Sequence, residues 1–425
     1  MKFINNVFEM IKETLLRKVF LIPLLIALSS INLLPQNVQV KSLKYYRGAD
    51  QTSFPIVFFG GGEGNHLTIE FDVASEHIPD MDIVFRFCDR NWKPYDNLFL
   101  ANFGKNVARN VPLEFLPVTV NEAHYHFIGI FPEENVEFPF SGNWMFFVTD
   151  ALDTSVVYGS GKFYVVNNII AVHDTLKNET LEGGHYFPNE LGKVFNITTN
   201  FYLSEKLFPA YVNNVTIIEN RKLDYPIVID RSFNTNTRQF YWDADRKFTF
   251  IARDIRPGNE YRQVDLRDIN KFNSVNVRAQ FDGLEYSRFF KEGPRDHNGG
   301  SIIDYFKNPN SIYLNVTFSI RPPDKVYGDV FLVGAFNNWE LSPDYRMDYI
   351  NGIFSKTIQL KRGVYDYQYV VADYQNGKIK NPDWYILEGN SWDTTDEYNI
   401  FVYYEEPTYG GYDRIIGYSR IISRR

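Results

Sequence analysis

The sequence predicts an all-β protein of three consecutive immunoglobulin-like β-sandwiches behind a signal peptide, and three observations carry that prediction. Apolar and polar residues alternate with period two along many segments. Aromatic residues, which fill a pleated, half-buried surface well, make up 17% of the chain. Turn residues interrupt the apolar runs at short intervals, as in sandwiches. At 425 residues the chain exceeds one ordinary core, so several domains are expected. With 44% hydrophobic and 23% charged residues, it has the composition of a folded chain and not of a disordered one.

The first element is a continuous apolar run, residues 19–34, behind Arg17 and Lys18. This reads as the hydrophobic and charged regions of a signal peptide over 1–36. Pro23 and the shortness of the run fall below the roughly 20 residues of a spanning helix, so an exported chain with no stable transmembrane span is expected. Beyond it, Leu67, Ile69, Phe71 and Val73 share one face while Thr68, Glu70 and Asp72 share the other, which marks a half-buried strand. Val275, Val277, Ala279 and Phe281 repeat the pattern, as do Ile312, Leu314, Val316, Phe318 and Ile320. Turn signals at 60–62, 141–143, 257–259 and 351–352 separate such runs. The strand over 162–166 closes a first domain, 37–167. A polar, glycine-containing stretch over 293–310 divides a middle domain, 168–300, from a C-terminal one, 301–425, which includes the terminal strand.

A formal charge of −8 excludes the basic field that a phosphate backbone requires, so nucleic acid is not an expected partner. The single cysteine, Cys88, leaves no intramolecular disulfide; at the end of the apolar strand over 83–88 it reads as a small buried hydrophobe. Catalysis needs a nucleophile with its base, paired carboxylates, or ligands at metal spacing, and no such constellation stands out. His124 and His126, two apart in a strand, lack a third ligand and read as a solvated strand face. Residues 60–64 (GGGEG) read as a turn, because no Lys-Ser/Thr follows and Glu63 would repel an anion. The acidic clusters at 80–82, 243–245 and 393–396 lack the ligand pattern of a calcium loop and are expected as solvated turns. No catalytic residue, metal or cofactor is expected.

The most specific local signal is the run from Val333 through Gly334, Phe336, Asn337 and Asn338 to Trp339, followed by Asn351-Gly352 and the strand over 363–371. It resembles the early-set immunoglobulin-like domain of glycogen-binding and branching-enzyme modules. The resemblance implies a sandwich and makes Asn338, Trp339 and Tyr374 candidate glycan or partner contacts. Trp339 either stacks on a sugar or seals the sandwich edge. Those modules carry a lysine where this chain has Gln368, and a second tryptophan where it has Tyr374 and Gln375.

A second resemblance spans the chain. Tyr46-Arg47-Gly48, the block from Phe85 to Trp92, residues 141–144 (SGNW), residues 389–398 (GNSWDTTDEY) and residues 412–418 (YDRIIGY) are similar to the type IX secretion plug family. The family implies a non-enzymatic periplasmic protein, associated with the outer membrane, that binds and occludes a large outer-membrane translocon barrel as a monomer within a heteromeric complex. The segment from Tyr409 onward is then either a contact or domain-locking element, with Tyr412 and Arg414 as candidate contacts, or an ordinary last strand of the third sandwich. A glycan-binding module using the Trp339 loop, an enzyme on polysaccharide or peptide, and a plain scaffold are the rival readings.

Overall fold

A computed structural model describes residues 38–181, 189–280, 283–322 and 328–423. The expected signal peptide, at 1–36, lies outside them, as does Phe281. Strands occupy half of the described residues, among which the only helices are short 3-10 turns. The all-β expectation therefore holds.

In the first sandwich one sheet runs, in spatial order, Gln39–Arg47, Leu67–Ala74, Tyr125–Phe131 and Glu114–Phe115. The other runs Ile56–Phe58, Val157–Val166, Gly142–Asp150, Met81–Cys88 and Val107–Ala108. Large rings fill the space between them, with Phe85 against Phe131 at 4.8 Å and Tyr45 against Phe146 at 5.2 Å. Offset and edge-on ring pairs of this kind add to the stabilisation from area burial alone.

The second sandwich sets Val172–Thr180, Lys193–Tyr202, Lys247–Ile255 and Arg238–Trp242 against Ile227–Asp230, Val212–Glu219, Glu397–Glu406 and Tyr412–Ile422. Phe195, Ile197 and Phe250 of the former meet Val215, Ile217, Ile400 and Val402 of the latter. The third sandwich centres on the long strand Gly363–Gln375, with Arg262–Asp265, Ser301–Ile303, Asp329–Gly334 and Lys378–Asp383 around it. Its second sheet holds Asn276–Arg278, Tyr313–Arg321, Ile353–Lys361 and Asp348–Ile350.

Two expectations are corrected. The bounds 168–300 and 301–425 do not follow the sheets, because Glu397–Glu406 pairs antiparallel with Val212–Glu219, Thr216 opposite Phe401, and Tyr412–Ile422 continues that sheet. The last strands thus complete the second sandwich, and the third is inserted within it. The cause is burial on both faces: Tyr398, Ile400 and Val402 enter the second core, while Phe401 and Tyr403 pack against the first sandwich. The second correction concerns Thr68, Glu70 and Asp72, expected toward solvent but buried. Their face is covered by the third sandwich, whose Tyr313 and Lys361 bond Asp72.

Candidate docking surface

The Trp339 loop begins where Asp329–Gly334 ends. The Asn337 side chain accepts from the Gly334 amide at 3.0 Å, and Asn338 and Trp339 both take positive φ, 52° and 63°, which turns the indole back toward the body. Trp339 Nε1 donates to the Gly299 carbonyl at 2.8 Å and the ring lies 4.2 Å from Tyr261. Gly299, at φ +83°, allows this approach, since a Cβ there would lie 2.9 Å from Nε1. Trp339 is 1% exposed, so it seals the sandwich and offers no platform to a sugar. Asn338 is half-buried at the turn, and Tyr374 is half-buried beneath the Arg346 guanidinium at 5.1 Å.

The terminal strand Tyr412–Ile422 lies at the edge of its sheet and is fastened to the first sandwich. Ser141 Oγ donates to the Ile415 carbonyl at 2.6 Å, the Arg90 amide donates to Asp413 at 3.0 Å, and the Asp413 amide donates to the Tyr95 hydroxyl at 2.8 Å. The Tyr412 ring is buried against Phe87 at 5.7 Å and Phe140 at 5.6 Å. Tyr412 therefore locks two sandwiches together. Arg414 is half-buried and pairs with Glu406 on the neighbouring strand at 3.1 Å.

The remaining junctions are equally occupied. Between the first and second sandwiches Tyr164 stacks on Phe401, and Tyr403 donates its hydroxyl to Asn143. Between the first and third, Asp72 accepts from Lys361 Nζ at 2.6 Å, Tyr313 at 2.7 Å and His126 Nδ1 at 2.7 Å, with Phe306 stacked on the imidazole. Burial alone would raise the Asp72 carboxyl, but His126 and Lys361 outweigh it and hold it below the usual carboxylate range. Burial draws the nearby Lys44 ammonium, 3.5 Å from Glu70, down to about 8. Between the second and third sandwiches, Asn220 Nδ2 donates to the Tyr261 hydroxyl at 2.9 Å and to Asp396 at 2.8 Å; burial, with Glu219 beside it, pushes Asp396 up to about 7.

His126 is therefore a buried junction residue and not part of a solvated face. Of the acidic clusters, Asp243 caps a turn through the Asp245 and Lys247 amides, but Asp82 and Asp396 are buried, contrary to expectation. Among the described residues no group of three or more His, Cys, Asp or Glu is placed to hold a metal ion. Cys88 is free and buried, and burial pushes its thiol up to about 12, which leaves it inert at neutral pH.

Sequence reasoning did not identify the apolar rim at one end of the last hairpin. The loop over 96–104 exposes Leu98 at 74%, Phe99 at 70% and Phe103 at 65%, and Phe99 stacks at 5.6 Å on Tyr409 in the turn of that hairpin. At the same hairpin end Tyr211 meets Tyr404 edge-on at 5.8 Å, and Arg90, Tyr211, Arg231 and Glu405 line a shared groove. Exposed aromatics with arginines are the residues that anchor protein interfaces. The available signal was residues 96–104 (DNLFLANFG), apolar side chains in a turn context that no strand absorbs.

No helix among the described residues is long and apolar enough to cross a membrane. A crystal structure of a hypothetical protein from Parabacteroides merdae shares 20% identity over 90% of this chain and 97% of its own, with a TM-score of 0.72, a likeness of fold. A bacterial ice-binding adhesin (9% identity, 91% of this chain and 97% of that one) and the full-length major pilin of Streptococcus pneumoniae (8%, 82% and 70%) give TM-scores of only 0.14 and 0.11. No curated protein matches the chain. Residues 40–167, the first sandwich, match the family model of the Type 9 secretion system plug protein 1st domain. The first sandwich is thus similar to the first domain of the type 9 secretion system plug protein.

Proposed function

We propose that the chain is a non-enzymatic periplasmic protein, associated with the outer membrane, that binds the large translocon barrel of the type 9 secretion system and occludes it. The match of residues 40–167 to the plug family carries this reading. The body supports it: three sandwiches joined through occupied junctions present a preformed surface, which lowers the ordering cost of association. The rim of Leu98, Phe99, Phe103 and Tyr409 is the contact face in this reading, with the chain acting as a monomer within a heteromeric complex.

The test is co-purification of the tagged full-length chain with a very large barrel protein from outer membranes. Phe99→Asp combined with Tyr409→Asp lowers capture at least about tenfold while the melting temperature is retained, because both side chains are exposed hot-spot types. Recovery of the parent chain only as a free monomer at native expression overturns the reading.

A further inference from the structure

Where the three sandwiches meet there is a cavity of about 590 Å³, within the size range of ligand sites. The first sandwich contributes Arg47 and Thr52 to its lining, the second Arg221 and Arg420, the third Arg295. Arg420 is paired with Glu397 at 3.2 Å. The others form no contact salt bridge among the described residues, though Glu397 and Asp50 act electrostatically on Arg221. Arg221 donates to the backbone carbonyls of Ser53 and Tyr45, and Arg47 lies over the Phe58 ring at 4.8 Å. Arg295 is exposed.

The acids of the cavity offset these cations only in part. Asp50 accepts from the amide and hydroxyl of Thr52. Asp296 accepts from the amides of Tyr261 and Asn298, and burial beside Asp366 and Glu260 pushes its carboxyl well above the usual range. Four guanidinium groups thus line a cavity whose acids are Asp50, Asp296 and Glu397, in a chain whose formal charge is −8. Guanidinium groups match carboxylates in planar, bidentate geometry.

Past Arg295 and Arg420 the cavity continues into a groove of about 1120 Å³. Its walls are Val172–Thr180 and Tyr412–Ile422, the outermost strands of the two facing sheets of the second sandwich. Val172, Leu176 and Ile421 line it, half-buried against the core, and Ile422 stands exposed at its rim. An edge strand offers unpaired amides and carbonyls to an incoming extended chain. Strand edges, a half-apolar floor and a cationic end therefore occur in one continuous slot.

We propose that this slot binds an extended acidic peptide by strand addition, with a carboxylate of that peptide seated among Arg47, Arg221 and Arg295. The activity is separate from docking through the Phe99 rim, and its failure leaves that reading untouched.

The test uses the full chain and a fluorescein-labelled hexapeptide of alternating valine and threonine ending in glutamate, read by anisotropy. Micromolar binding is expected, weakened at least about tenfold between low and high salt by screening. Arg295→Ala and Arg47→Ala each weaken it at least about fivefold, as expected for loss of a charge-assisted contact, with the melting temperature retained. Ile422→Asp, on the groove rim, also weakens the peptide. A C-terminal amide that no longer binds assigns the chain terminus as the carboxylate source; a glutamine-ended free acid that no longer binds assigns the side chain. The proposal is overturned by absence of binding at millimolar peptide, by binding indifferent to the arginines, or by glutarate or inorganic phosphate binding as tightly as the peptide.

Discussion

Across the boundary between the first and second sandwiches Tyr164 and Phe401 stack with centroids 4.1 Å apart, whereas across the boundary with the third Asp72 meets Lys361 at 2.6 Å. Both contacts are buried, yet they constrain the molecule differently. The aromatic contact is non-directional and survives small shifts, since its gain follows buried area. The ionic contact holds only in one placement, because any slip leaves a charge in low dielectric without its partner. The first junction supplies attraction, and the second restricts which arrangement of the sandwiches is tolerated.

The largest effect is expected at the ionic junction. Asp72→Ala leaves the Lys361 ammonium buried without a counter-ion and costs about 3–5 kcal/mol in urea unfolding at pH 7. Because Asp72 titrates below its ordinary value, its contribution is complete above the unfolded value of about 3.9 and is lost as pH falls through the folded one. Parent and variant should therefore converge in acid; a gap that persists there would show that the charge is not what is lost. At the aromatic junction Phe401→Ala costs about 3 kcal/mol by cavity formation. That loss should be the same at pH 5 and pH 8, and a pH-dependent loss would erase the contrast between the junctions.

A third junction sharpens the comparison. Asp396 titrates above its ordinary value through burial and Glu219, so the folded state is penalised as pH rises from the unfolded value toward about 7, and fully above it. Asp396→Asn removes that penalty and should stabilise by about 2 kcal/mol at pH 8 with no gain at pH 4. Equal melting temperatures for parent and variant at pH 8 would show that Asp396 is not carrying a buried charge. The smallest effect is at the half-buried Arg414–Glu406 pair, where Arg414→Ala should cost less than about 1 kcal/mol in thermal unfolding.

Much of this architecture was readable from residue order and part was not, for identifiable reasons. Alternation placed the strands at Leu67–Ala74, Met81–Cys88 and Tyr313–Arg321 because period-two burial is a local property. It failed on Thr68, Glu70 and Asp72, since a polar face looks the same whether water or another sandwich covers it. The tripeptide Asn276–Arg278 is shorter than the alternation over 275–281 suggested; it pairs in parallel with Asn315–Thr317. Trp339 was legible as a turn aromatic, but the Gly299 carbonyl that holds it lies in a distant loop. The destination of the last two strands was likewise invisible, because the pattern of Ile400, Phe401, Val402 and Tyr403 specifies two buried faces and not which neighbours bury them.

The insertion of the third sandwich within the second has a kinetic consequence. A chain made from its N-terminus can complete the first sandwich early, but Val212–Glu219, though it can pair with Ile227–Asp230, must wait for Glu397–Glu406 before its sheet is complete. Closing so long a loop is slow, and in the interval Ile217 and Ile218 remain accessible to any passing hydrophobic surface. Loss of the last thirty residues would consequently cripple the centre of the molecule and not merely trim its tail.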